Sequence, residues 1–370
     1  MRGIAICGRE VTSPDPIDVV EIDGLVVRCG LVPLPDVELD PSLPEHHERV
    51  LVRKTAVSCH YRDKAHILGL AASGDDDAFV VIGSEFVGEV VDRGREVTGL
   101  EVGDRVIADA SYPGSGAAGI PGGIATEHGS RELEIFHPAK LLKIPRQMPD
   151  TVAAAMPIGA QTTYSMIRRL DLKAGEDVLV TSAKSNTSLF AINVLKCLDV
   201  NVYATSTSQR FADELRQMGV RELVRIDPDV GDFAEQAELR AIASACGGFD
   251  AVIDPFCDLH LSGVLGVMAF GGRYVTCGLC HQSPHVTGTK AANASWNGRG
   301  VLTTLIRKNL HLIGNCLGDT ADLQRAVDDY ANGGFEVVID SVFRGHQVGA
   351  FLERTYNFCD RLGKVVYEFD

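Results

Sequence analysis

Four consecutive side chains in "SCHYRDKAH", His60, Tyr61, Arg62 and Asp63, set an imidazole, a phenol, a guanidinium and a carboxylate next to one another. An imidazole or a phenol can pass a proton to a reacting carbon or oxygen, and a neighbouring cation can steady negative charge that develops there. His60 and Tyr61 are therefore the candidate catalytic residues; Arg62 and Asp63 can also be read as an ion pair that only holds the segment. A second stretch, "VLVTSAKSNTSLFAINVL", runs a buried-strand pattern into a helix pattern through a turn without glycine, with Ser182, Ser185 and Ser188 at every third position. Such a turn brings the positive end of a helix and its free N–H groups to one point, which suits a phosphate. Ser, Asn and Thr side chains there can cap the helix or donate to an anion, and Lys184 adds a positive charge. The alternative is that the serines cap the helix and bind nothing.

Other reactive types are sparser. Cys277 and Cys280 have CxxC spacing, but no second CxxC completes a zinc site, and two thiols at a strand end is the simpler reading. His66, His128, His137, His281, His311 and His346 are isolated and read as surface or satisfied histidines. Trp296 sits in "KAANASWNGRG", a small-residue loop that could reach a cleft or cover an apolar patch.

The elements that position these residues fall into two textures. Before about residue 150, short runs such as "RVLVRKTAV", "FVVIGSEFVGEVVDRG" and "GDRVIADA" alternate with glycine-marked turns, the pattern of twisted β structure. The segment from Tyr112 to Gly129, "YPGSGAAGIPGGIATEHG", is too glycine-rich for regular structure and reads as a mobile cleft edge. From Thr151, strands alternate with helices: "DVLVTSA", "NVYATST", "ELVRID", "FDAVIDPF", "GGRYVTCG" and "LHLIGNC", with helical stretches between. That alternation predicts a doubly wound parallel sheet. A helix "TADLQRAVDDYANG" and a tail ending in "GKVVYEF" do not extend the repeat. The expected fold class is α/β, with a β-rich domain from 1–155 and 319–370 and a nucleotide-binding domain from 156–318 inserted in it.

Composition narrows the function. The chain has 370 residues, 45% hydrophobic and 23% charged, too long for one core and suited to two domains. No apolar run approaches the roughly 18 residues of a membrane span, and "MRGIAICGREVTS" lacks a signal-peptide core, so a cytoplasmic place is expected. Ten scattered cysteines do not form a disulfide framework. A net charge of −15 disfavours nucleic acid as a partner.

The stretch from Gly83 to Ala108, "GSEFVGEVVDRGREVTGLEVGDRVIA", resembles the signature segment of medium-chain dehydrogenases/reductases, and "GKVVYEF" resembles their C-terminal end. The resemblance implies a GroES-like catalytic domain, a Rossmann cofactor domain and hydride transfer to or from a nicotinamide. "SCHYRDKAHILG" is similar to the "SLNYRD" segment of members that lack zinc. Where the alcohol dehydrogenase branch has its zinc ligands, this chain has His60, Ser84 beside Glu85, and Ile158. An isoleucine cannot ligate, so no metal is expected; an unusual site at His60 with Glu85 or Asp63 is the competing possibility. The cysteine-rich lobe for structural zinc has no counterpart between Gly103 and Lys143. Zinc-free members are mostly reductases of activated double bonds.

Against the family's glycine turn, the chain aligns Ser182, Lys184, Ser185, Asn186 and Thr187 as cofactor-binding residues. The second strand ends in Thr205, Ser206, Thr207, Ser208 and Arg210, with no acidic residue for adenosine ribose. Ser208 and Arg210 suit a 2′-phosphate, and the expected cofactor is NADPH. Thr162, Asn315 and Lys364 match family positions along the nicotinamide or phosphate path. The implied activity is reduction of an enone, an enoyl thioester or, by a likeness to lanthipeptide dehydroalanine reductases, dehydroalanine in a peptide. The alternatives are an alcohol dehydrogenase or carbonyl reductase with an atypical zinc site, and a catalytically silent NADPH binder. Family members often pair through the last Rossmann strand, and a homodimer is expected.

Overall fold

The computed structural model describes residues 1–227, 236–280 and 298–369. His281 and Trp296 lie outside them.

Six parallel strands form one sheet: Asp177–Val180, Asn201–Ser206, Val220–Arg225, Phe249–Asp254, Met268–Thr276 and His311–Gly314. Numbered in that sequence order they lie 3-2-1-4-5-6 across the sheet, so the winding reverses between Asp177–Val180 and Phe249–Asp254. Their near-continuous apolar runs, such as "VLV" and "AVI", are buried because helices cover both faces. The other part is antiparallel in the main. A four-stranded sheet built on Arg2–Cys7 stands beside a seven-stranded one that runs from Ile339–Arg344 through Lys364–Glu368, Val50–Ser58, Glu85–Arg93 and Arg105–Ala108 to Leu141–Lys143, with Leu133–Phe136 paired on Val50–Ser58. The tail strand Lys364–Glu368 thus lies next to Val50–Ser58, with Val366 opposite Ser58.

Several helices escaped sequence reading, among them Asp63–Ser73 and Pro157–Leu170. Asp63–Ser73 is built of small and mixed residues with no clean apolar stripe. Pro157–Leu170 opens with proline at its first turn, where the missing N–H costs nothing. It looks amphipathic, yet Gln161, Thr163 and Ser165 are buried with its apolar face, because it is wedged between the helices Asn186–Leu195 and Thr320–Ala331. The fit is close: a Cβ on Gly159 would lie 2.4 Å from the Phe190 ring.

The glycine-rich segment does edge a cleft, through Tyr112, Gly123 and Ile124, and side chains from elsewhere fasten it. Lys140 Nζ donates to the carbonyls of Pro121 and Gly123 at 3.1 and 2.7 Å. Lys54 Nζ donates to His128 O at 3.2 Å, and Thr126 Oγ1 donates to Glu134 at 2.9 Å. One lysine comes from the strand Val50–Ser58 and the other from the short helical turn Pro138–Lys140. Among the described residues no helix is long and apolar enough to cross a membrane.

Candidate active site

A cavity of about 520 Å³ opens between the two parts of the molecule. His60, Tyr61 and Arg62 line one wall; Ile158 and Thr162, from the buried helix, line the floor. Pro255, Phe256, Cys277 and Gly278 follow the carboxyl ends of the fourth and fifth strands, and Ser185, Asn186 and Thr187 follow the first. The cleft therefore sits at the point where the strand order reverses, the place where open α/β sheets bind nucleotides.

Beneath it is a buried polar network centred on Glu85, which is closed to solvent. One carboxylate oxygen accepts from Lys364 Nζ at 2.5 Å and from Ser58 Oγ; the other accepts from the Ile158 N–H at 3.0 Å. His60 Nε2 stands 2.8 Å from the first oxygen, but off the line a hydrogen bond needs. Burial alone would raise the pKa of Glu85. The facing His60 and Lys364 outweigh it and bring the carboxyl down to about 2. His60 is fixed from behind as well: its N–H donates to Asp63 Oδ2 at 2.6 Å, and Tyr356 donates to its carbonyl at 3.0 Å.

These residues do not fit a catalytic zinc. Ile158 has no donor atom, Ser84 Oγ donates to Asp63 at 2.8 Å, and an ammonium already occupies Glu85, so a cation there would meet a like charge. No group of three or more His, Cys, Asp or Glu among the described residues could hold a metal ion.

The predicted Arg62–Asp63 ion pair is absent. Asp63 is buried and taken up by the His60 N–H and Ser84, while Arg62 Nη2 donates to Glu127 at 2.9 Å and its Nη1 is enclosed without a partner. Adjacent residues on a helix start point apart, and each found the nearer counterpart across the fold. The Tyr61 hydroxyl lies 3.9 Å from Cys280 Sγ, and its ring meets Phe256 edge-on at 6.1 Å. Burial, with Cys280 next in effect, pushes the phenol pKa well up, so Tyr61 keeps its proton at neutral pH.

In the phosphate turn only one serine stands in a glycine conformation. Ser182 has φ +50°; Ser185 is extended at φ −69°, ψ 147°, and Ser188 is inside the helix. Ser185 caps the helix by accepting from the Ser188 N–H at 3.2 Å, and Ser188 Oγ donates to Thr181 O at 2.7 Å. Lys184 Nζ donates to Cys359 O at 3.0 Å. Ser208 Oγ accepts from the Arg210 N–H at 3.0 Å, and Arg210, more than half exposed, faces Asp360 at 3.4 Å.

His60, Tyr61, Thr162, Ser185, Asn186, Thr187 and Asn315 thus share the cleft. Asn315 is locked, accepting from Ser165 and Arg169 and donating to Leu317 O. Ser182, Lys184, Ser208 and Arg210 are outside its lining. Lys364 is also outside that lining: its Nζ is held by Glu85 and Cys59 O. Sequence reading missed Arg361, which does line the cleft. Its only signal is position, three residues before Lys364 in the matched tail.

Residues 46–145 match the family model of the alcohol dehydrogenase GroES-like domain, and residues 187–332 that of zinc-binding dehydrogenases. Acryloyl-coenzyme A reductase of Sulfurisphaera tokodaii is 30% identical over 244 residues, covering 62% of this chain and 69% of that protein. Polyketide synthase GfsB of Streptomyces halstedii is 28% identical over 260 residues, which are 70% of this chain but 4% of that far longer protein. Among solved structures, an NAD-dependent alcohol dehydrogenase superposes with a TM-score of 0.75 at 23% identity, covering 100% of this chain and 99% of that one. The 2-octenoyl-CoA carboxylase reductase CinF, in complex with NADP and 2-octenoyl-CoA, gives 0.69 at 21% identity over 93% and 82%. These two share the fold.

Proposed function

We propose, from the premise that this chain belongs to the medium-chain dehydrogenase/reductase superfamily, that it is an NADPH-dependent reductase of carbon-carbon double bonds conjugated to a carbonyl. Membership makes it an NAD(P)-dependent oxidoreductase, and its relatives support double-bond reduction at the level of the family. The observation that carries the choice is that the positions matched to zinc ligands hold His60, Ser84 beside Glu85, and Ile158, with Glu85 taken up by Lys364. Oxidising an alcohol there lacks its Lewis acid, whereas reducing a conjugated alkene needs only a hydride donor, a proton donor and a place for enolate charge.

When bound, the reduced nicotinamide supplies the hydride, which goes to the β-carbon. Tyr61, protonated across the neutral range, delivers the proton to the α-carbon. His60, whose backbone is held by Asp63 and Tyr356 and whose Nε2 is turned toward Glu85, lines the wall beside the substrate carbonyl. Ser185, Asn186 and Thr187 at the helix start, with Thr162 and Asn315, line the cofactor path. Arg210, Ser208 and the absence of an acid on Thr205–Arg210 favour the 2′-phosphate of NADPH over NADH.

The preferred substrate is an enoyl thioester, as the name of the acryloyl-coenzyme A reductase relative suggests, ahead of a simple enone or a dehydroalanine peptide. The residues 1–155 and 319–370 form the substrate domain, and 156–318 the cofactor domain. The protein works in the cytoplasm as a homodimer, joined through the edge strand His311–Gly314, beside which Phe270 and Ile306 are 78% and 75% exposed. Incubating the purified protein and NADPH with acryloyl-CoA, a neutral enone and a dehydroalanine peptide tests the class: two hydrogens gained by the thioester first supports it, and reduction of none removes it.

A further inference from the structure

Lys54 stands where the fold calls for an apolar residue. Side chains of the strand Val50–Ser58 alternate between faces, and Lys54 falls on the same face as Val50 and Val52, which belong to a hydrophobic cluster with Phe86 and Phe136. The lysine is 1% exposed, and its Nζ lies 4.5 Å from the centre of the Phe86 ring and 5.1 Å from that of Phe136. Burial lowers its pKa to about 8, which leaves the ammonium charged at neutral pH. An apolar side chain in place of a buried ion pair is commonly as stable or more so, so stability alone does not account for this lysine. Its hydrogen bonds show what it holds. Nζ donates to His128 O at 3.2 Å and to Glu134. Glu134 Oε1 accepts from Thr126 Oγ1 at 2.9 Å, and that hydroxyl accepts from the His128 N–H at 2.9 Å. These bonds close a ring that fixes Thr126 and His128, and with them the residue between. The carboxylate of that residue, Glu127, accepts from Arg62 Nη2 at 2.9 Å and faces His66 Nε2 at 3.6 Å. Arg62 lines the cleft next to His60 and Tyr61, and Gly123 and Ile124, just ahead of the ring in sequence, line it as well.

We propose that Lys54 is a positioning residue for the substrate: through Glu134 and Thr126 it fixes the loop from Tyr112 to Gly129, so that Glu127 ties the loop to Arg62 and sets the spacing of the cleft walls. The role in substrate binding rests on the reductase reading; the hold on the loop rests on the geometry alone. Neither Lys54 nor Thr126 lines the cleft, so neither touches the reacting atoms. A glycine-rich loop has many backbone states, and a closed ring of hydrogen bonds on a buried cation selects one of them. Ordering the edge in advance spares the substrate that cost on binding, which lowers KM more than it changes kcat. The nucleotide end of the cleft, lined by Ser185, Asn186 and Thr187, is not part of the ring.

Thr126→Val takes the hydroxyl out of the ring and leaves the Lys54–Glu134 pair in place. In the full chain it should raise KM for acryloyl-CoA by about tenfold, with kcat within about threefold and NADPH affinity within about twofold of wild type. Thr126→Ser, which returns the hydroxyl, should recover most of the KM, and matched thermal midpoints show that the variants are folded. Glu127→Gln should raise KM too, and the two changes together should raise it by less than the product of their separate effects. Hydrogen exchange reads the loop without turnover: Thr126→Val should speed exchange of the amides from Gly123 to His128 and leave those of the helix Asn186–Leu195 as they were. An unchanged KM in Thr126→Val overturns the proposal, as does an equal loss of NADPH affinity, the mark of a general loosening. Wild-type protein that reduces no conjugated alkene removes the reductase reading and the role in KM with it, whereas unchanged exchange overturns the hold on the loop itself.

Discussion

Lys364 Nζ lies 2.5 Å from Glu85 Oε1 in a pocket closed to solvent, joining the last strand of the chain to the strand that begins at Glu85. The two residues are 279 apart in sequence. Their contact lies beneath the cleft and commits the carboxylate of Glu85 to an ammonium.

A buried pair of this kind depends on both members. Glu85→Gln strands the Lys364 ammonium and should cost about 3–5 kcal/mol, measured by denaturant unfolding. Adding Lys364→Met should return much of that loss, so the double variant is more stable than the sum of the single losses.

The same pair sets an acid response. The folded pKa of Glu85, about 2, lies below the roughly 4.3 of an unfolded glutamate. Its stabilisation is thus fully present above the unfolded value and is lost as pH falls through that window to the folded one. The stability gap between wild type and Glu85→Gln should be constant near neutrality and narrow between about pH 4.5 and 2.

Ser182 stores a local cost. At φ +50° its Cβ opposes the backbone by about 1 kcal/mol, which glycine would not feel. Ser182→Gly should raise the unfolding midpoint while leaving nucleotide affinity within about twofold.

The alternating strands and helices after Thr151 were legible because parallel strands buried on both faces write continuous apolar runs. The serine turn was legible as a turn, but which serine needed a left-handed backbone was not, since φ leaves no mark on residue type once glycine is gone. Arg62 and Asp63 misled because adjacency in sequence is not adjacency in space; Glu127 and Ser84 arrive from other strands and loops. Lys364 and Arg361 were hard to tell apart for the same reason: Lys364 Nζ goes to the buried Glu85, while Arg361 lines the cleft.

The raised pKa of Tyr61 sets the pH profile expected of the reaction. With Tyr61 as the donor, kcat should stay level from about pH 6 to 9, and Tyr61→Phe should lower it by about 10²–10⁴ with nucleotide binding unchanged. An undiminished kcat in Tyr61→Phe would assign donation to another group.

The edge strand offers a simple check of assembly. Ile306→Asp together with Leu312→Lys should shift the elution of the protein from dimer to monomer in size-exclusion chromatography. An unchanged dimer places the interface elsewhere.

The central claim is that hydride reaches a β-carbon. Single turnover of acryloyl-CoA with NADPH deuterated at the transferable position of its ring tests it directly, with the product read by NMR. One deuterium at the β-carbon, with the α-carbon proton drawn from solvent, is the predicted result. Deuterium on the carbon that bore the carbonyl oxygen, or no transfer from a cofactor that binds, contradicts it.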